Sequence, residues 1–288
     1  MNNLKFLPTL KRIGLKKKYI VFSIFYGLSS LVIPFAIQFM VNNLALSGIW
    51  INTVTFLVII AAGLILSQIF RYCQVILEEY MQRELFVIEM ERWQSKGHSS
   101  HSHYYFEIIT IIKTYTKSFT NIVEIGLVLI FGLITIMIFH PAFIFLTILL
   151  YLFLYWIFIN TKPAIETSIQ ESNHKYDIFD IIAGDNMADD KSIDEYLETR
   201  HKHFFHIKRN ALLVGIIYVL GHFYVLGVGL YLVQSNQLSV GQLVSAEIIL
   251  SGILVSLLKL PQTMEDLYDY ETSEFKISKA LNLEVHDG

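Results

Sequence analysis

Three long stretches of this chain are almost free of charge, and they constrain its fold more than any other feature. Tyr19–Phe70, Phe119–Thr161 and Asn210–Leu258 contain no Lys or Arg and only two acids, Glu124 and Glu247. One helix needs about 20 apolar residues to cross a bilayer, so each stretch is long enough for two crossings. Each also has a polar or breaking segment near its middle: "NNLALSGIWINT" (Asn42–Thr53), "HP" (His140–Pro141) and "QSNQLSVG" (Gln234–Gly241). The chain therefore reads as three helical hairpins. Charged residues make up 16% of it, where about a quarter is usual for a soluble domain. Strict polar–apolar alternation is absent, which disfavours barrel strands. The expectation is an all-α integral membrane protein with six transmembrane helices.

The placement of charge orients the hairpins. All 22 Lys and Arg lie outside the three stretches, and none falls at a hairpin tip. The positive-inside rule then puts both termini and the two long loops, 71–118 and 162–209, in the cytoplasm. The predicted organisation is a basic cytoplasmic N-terminus over 1–18, a six-helix membrane domain over 19–260 and a cytoplasmic C-terminal helix over 261–288. The expected location is the bacterial inner (cytoplasmic) membrane. The opening "LKRIGLKKKYIVF" reads as an uncleaved first helix, because its apolar run is too long for a signal-peptide core. The lone Cys73 excludes an internal disulfide and a zinc site built on a Cys pair. The basic stretches "LKKK" (Leu15–Lys18) and "HIKR" (His206–Arg209) suit anionic lipid headgroups, not nucleic acid.

The two long loops are equal in length and do not read as flexible linkers. "RELFVIEMERWQ" (Arg83–Gln94) and "HKYDIFDIIAG" (His174–Gly184) repeat apolar residues at helical spacing. Breaker clusters interrupt each loop, "SKGHSSHSH" (Ser95–His103) and "AGDNMADD" (Ala183–Asp190). The membrane helices are thus expected to continue as stalks and to turn at those clusters. About 20 helical residues would carry a stalk roughly 30 Å beyond the bilayer. Matched loops also suggest two related halves, a pattern common in transporters.

Two segments carry a resemblance. "SSLVIPFAIQFMVNNL" (Ser29–Leu44) and "NQLSVGQLV" at the head of Asn236–Glu284 resemble the first and last helices of the membrane domain of type I ABC exporters. In that family a Leu-(Ser/Thr)-x-Gly-(Gln/Glu)-Leu motif precedes a last helix that ends near a proline and continues into the cytoplasm. The resemblance implies an ABC type I exporter-like fold with long cytoplasmic stalk extensions. It also implies a permease subunit that works as a homodimer or heterodimer with a related membrane chain and is driven by a separate P-loop ATPase subunit. The sequence contains no G-x-x-x-x-G-K-[ST], so the chain is expected to be no enzyme and to bind no cofactor itself, ATP and Mg belonging to the partner. By analogy the coupling elements fall near Gly97, Tyr105 and Phe106 in the first loop and Gly184, Asp185, Asp189 and Asp190 in the second. Neither loop keeps the family's full pattern. The Gly and Ser-Arg expected after Tyr104–Phe106 are missing, as is the Val-Lys expected after Gly184.

Four residues are candidates for lining a transport cavity. Glu247 stands out, because an ionised carboxylate in hydrocarbon costs at least ~2.5 kcal/mol and should face protein or water. It would contact a cationic or polar substrate, or else make an interhelical hydrogen bond. His222 and Tyr218, four apart, form a polar stripe on the fifth helix. Glu124 lies about one turn inside the stalk-side boundary of the third helix, where Lys117 or Lys259 could reach it, and a structural ion pair is the favoured alternative. Gly215, Gly221, Gly227 and Gly229 keep the fifth helix slim for close packing. The clusters "HSSHSHYY" (His98–Tyr105) and "HKHFFH" (His201–His206) invite a metal reading, but His201, His203 and His206 lack the i,i+4 spacing that helical ligands need. Two rivals to the exporter remain: a non-transporting membrane scaffold or assembly partner of a secretion system, and a secondary carrier, for which stalks of this length serve little purpose.

Overall fold

The structure is a computed structural model that describes residues 14–45, 53–94, 104–183 and 190–283. Those residues are almost entirely helical. Six helical rods are long and apolar enough to cross a membrane, so the chain is an integral membrane protein. The first rod is α1 (Leu15–Ser30), α2 (Val32–Met40) and a π turn (Val41–Ala45). The second is α3 (Thr53–Gln94) and the third α4 (Tyr104–Phe139). After a 3-10 turn (Pro141–Phe143), α5 (Ile144–Ile159) and α6 (Thr161–Ala183) form the fourth. The fifth is α7 (Asp190–Gln234), and α8 (Val240–Leu258) with α9 (Leu260–Leu283) form the sixth.

Local chemistry explains the interruptions. Pro34 is the third residue of α2, where its missing N–H leaves no internal bond unmade, and the helix restarts just before it at Leu31. His140 caps the 3-10 turn, its Nδ1 accepting from the Ala142 N–H at 3.1 Å, with Pro141 opening the turn. Between α7 and α8 the chain reverses through Asn236 at φ 56°, a left-handed conformation that Asn tolerates. Ser239 then caps α8. Its Oγ accepts from the Gln242 N–H at 3.1 Å, and the Gln242 side chain accepts from the Ser239 N–H at 2.9 Å. Pro261 marks the restart of the last rod as α9.

The rods outrun any bilayer. At about 1.5 Å per residue, the 42 residues of α3 and the 45 of α7 are each more than twice as long as a bilayer core of about 30 Å. The excess lies at the end that carries the basic residues, here the stalk end; the end where the chain turns at Pro141 and Asn236 is the tip end. The sixth rod is the hub: 56% of its apolar window is buried, against 6% for α3. In the membrane part α8 packs on α2, α4 and α7; in the stalk α9 packs on α4, α6 and α7.

Two cores follow. The membrane core joins Leu250, Ile253 and Leu254 of α8 to Leu129 and Ile136 of α4, Leu146 and Leu150 of α5, and Val214 and Val225 of α7. The stalk core joins Tyr19 of α1 and Met81 and Leu85 of α3 to Ile111, Tyr115 and Phe119 of α4 and Leu267, Tyr270 and Ile277 of α9. Glycines let α8 approach its neighbours, though not all of those expected. Gly221 and Gly229 of α7 face Leu254 and Leu243, and Gly132 of α4 faces Ile253. Gly215 and Gly227 instead face open space, so close packing accounts for only two of the four glycines of the fifth rod.

Candidate functional site

Glu247 sits about two turns into α8 from the tip end, and α7 passes beside it. The Nδ1 of His222 on α7 shares a hydrogen bond with Glu247 Oε1. The Tyr218 ring, one turn away, meets the His222 ring edge-on with centroids 4.7 Å apart. Ser251 Oγ donates to the Glu247 carbonyl at 2.9 Å. Three of the four candidate cavity residues therefore converge on one place. The i,i+4 spacing of Tyr218 and His222 was legible in the sequence; their alignment with Glu247 was not, since it depends on the relative height of two helices. The side chains of His222 and Glu247 are 21% and 24% exposed, so the pair is sheltered without being sealed. Glu247 Oε2 and His222 Nε2 have no protein partner. A carboxyl–imidazole pair of this kind puts buried hydrogen-bonding capacity between two largely apolar helices.

Glu124 belongs to a different arrangement. Its Oε1 accepts from Lys259 at 2.9 Å and its Oε2 from Arg71 at 3.5 Å, which ties the second, third and sixth rods together at the stalk-side boundary. Lys259 lies twelve residues beyond Glu247, about 18 Å along the rod. Lys117, the other partner the sequence allowed, pairs with Asp266 at 2.9 Å. Arg71 was not foreseen, because its own helix gives no sign of which neighbour it faces.

The residues matched to the coupling loops are mostly beyond view: Gly97, Gly184, Asp185 and Asp189 lie outside the described residues. Tyr105 and Phe106 belong to the first turn of α4. Asp190 is exposed and begins α7, where an acid favours the helix dipole whatever else it does. Between those turns and the bilayer the stalks are wired together by pairings that the sequence did not show. Glu171 of α6 accepts from Arg200 of α7 at 2.9 Å and also bonds His203. Ser168 and Thr272 join α6 to α9 at 3.0 Å. Arg92 of α3 grips both oxygens of Glu274 on α9 at 3.1 Å. Among the described residues no group of three or more His, Cys, Asp or Glu is placed to hold a metal.

A second polar clasp lies at the tip end. Asn42, in the π turn of the first rod, accepts from the Gly241 N–H at 3.1 Å and donates to Ser239 Oγ at 3.1 Å. A Cβ at Gly241 would lie 2.4 Å from Asn42 Oδ1 and 2.6 Å from the Gln38 carbonyl. The segment Leu238–Leu243 thus has a physical account: Ser239 and Gln242 cap the helix, and Gly241 admits the first rod.

Comparison with known protein families and with curated proteins gave no match to this sequence.

Proposed function

We propose that the chain is the membrane subunit of an ATP-driven exporter, powered by a separate P-loop ATPase. The observation that carries this reading is the continuity of the stalks with the spans. Helices of 42 and 45 residues run unbroken from the membrane part into the stalk and end near the paired loops. Such rods can transmit a push at the loops to the height of Glu247, whereas a carrier driven by its own ion gradient has no use for them. Two chains, identical or related, would enclose a cavity, with the Tyr218, His222 and Glu247 cluster on its wall and the loops in the cytoplasm of a bacterial cell. Closure of the ATPase would tilt the stalks and switch access from one side to the other.

The test is purification in mild detergent from the native membrane. Recovery of a P-loop ATPase in near-equal amount, lost when 95–103 and 184–189 are replaced by Gly-Ser, supports the proposal. Recovery of the chain with envelope or secretion components and no ATPase supports a scaffold. That rival has one observation in its favour: the stalks are already laced to one another through Glu171, Thr272 and Glu274, and a frame needs no motor.

A further inference from the structure

Five arginines lie among the described residues, and four of them have a carboxylate partner. Arg71 pairs with Glu124, Arg83 with Glu79, Arg92 with Glu89 and Glu274, and Arg200 with Glu171. Arg209 has none within 4 Å among those residues. Its guanidinium lies over the ring of Trp156, 4.9 Å from the centroid. Nη2 donates to His206 Nδ1 at 3.3 Å, and Nε has no acceptor. A guanidinium is always charged and carries five N–H donors in a planar fork. Nε is buried, so Arg209 holds a full positive charge and turns outward the donors of Nη1 and the second N–H of Nη2.

Its position says what should use them. Arg209 immediately precedes the charge-free run of α7, and Trp156 sits in the last turn of the apolar helix α5. Both belong to the level where hydrocarbon gives way to headgroups, the layer in which Trp is enriched. One turn to either side of Arg209, Phe205 and Leu212 are exposed, at 58% and 64%. Lys208 beside it is exposed and adds charge. A cation held on an aromatic face between two open apolar side chains matches a molecule that is anionic at its head and greasy below.

We propose that Arg209 and Trp156 form a binding site for the phosphate of an anionic phospholipid. The guanidinium would take two phosphate oxygens through its fork, and the acyl chains would lie along α5 and α7 over Leu212. A soluble phosphate offers the same oxygens but nothing to cover the apolar flanks, so the lipid is the source to which the site is assigned.

The protein has three Trp, so Trp50→Phe and Trp93→Phe leave Trp156 as the only indole. That protein is reconstituted in phosphatidylcholine vesicles containing a small, equal fraction of brominated phosphatidylglycerol or brominated phosphatidylcholine, and Trp156 fluorescence is read. Brominated phosphatidylglycerol should quench about twofold more or better. Arg209→Gln should remove most of that excess while quenching by brominated phosphatidylcholine persists, showing that the helices are still inserted. Arg83→Gln, which changes a paired stalk arginine, should keep the excess. Should Arg209→Gln fail to insert, Arg209→Lys replaces it, and the excess must still fall because an ammonium lacks the fork. Equal quenching by the two lipids, or an excess that survives at Arg209→Gln, overturns the site. So does an excess abolished by inorganic phosphate at constant ionic strength, which would assign it to a soluble anion.

Discussion

The two halves of the sixth rod are neighbours in sequence, and each is the centre of its own layer, yet they are held by different means. Apart from the Glu247–His222 bond and the Asn42 clasp at its tip, the contacts of α8 are aliphatic. Leu250, Ile253 and Leu254 are buried, and glycines on α4 and α7 stand opposite Ile253, Leu254 and Leu243. On α9 the contacts are directional. Asp266 takes Lys117, Thr263 takes Asn121, Thr272 takes Ser168 and Glu274 takes Arg92. Lipid tails are as apolar as leucine, so a membrane helix gains little by hiding Leu from them and depends on fit. In the stalk, burial itself stabilises, and hydrogen bonds and ion pairs then set which helix meets which. Shape fixes α8, and pairing added to burial fixes α9.

The contrast can be tested with one substitution made twice. Leu267→Ala in the stalk core should cost about 3 kcal/mol, the sum of lost transfer and a cavity. Leu250 is at least as buried as Leu267, but its outer alternative is lipid, so only packing is lost and about 1–2 kcal/mol is expected for Leu250→Ala. Thermal unfolding midpoints in one mild detergent compare the two; equal costs would erase the distinction. Gly241→Ala should fall between them at about 2 kcal/mol, because the Gln38 carbonyl is backbone and cannot swing away from a new methyl. Leu243, by contrast, can turn its side chain away from a methyl at Gly229, so Gly229→Ala should cost less than Gly241→Ala.

Arg92→Met should cost about 1–2 kcal/mol, discounted for the 35% exposure of the arginine side chain. High salt should shrink that cost and leave the cost of Leu250→Ala unchanged. The smallest effect on stability is expected at Glu247→Gln, within about 0.5 kcal/mol, since an amide can keep the bond to His222 while the charge disappears. Its consequence should instead appear in transport or in binding of a cationic probe. A large loss of stability there would make the pair a structural strut.

Much of this arrangement could be read before any helix was placed. Charge alone located the membrane parts, and breakers located the turns: Pro141, Asn236 and Ser239 stand where the chain bends for reasons local to those residues. Helical spacing on Arg83–Gln94 and His174–Gly184 announced stalks. The pairings could not be read. Glu124 was visible as an acid needing a partner, and Lys259 was one of two named for it, but Arg71 required knowing which face of α3 meets α4. His203 appeared in a histidine cluster that suggested metal, and its bond to Glu171 depends on the height at which α6 and α7 pass. Sequence shows the period of a helix; its rotation and rise against a neighbour are settled by packing among residues far apart in the chain.

The clasp at the tip end bears on how the molecule is made. Asn42 and the N–H it holds are 199 residues apart. A ribosome delivers the first hairpin long before the last one exists, so Asn42 enters the bilayer with its eventual partner still unsynthesised. The opening pair of helices must wait, loosely seated, until Ser239 and Gly241 arrive, and the final hairpin is the piece that locks the first.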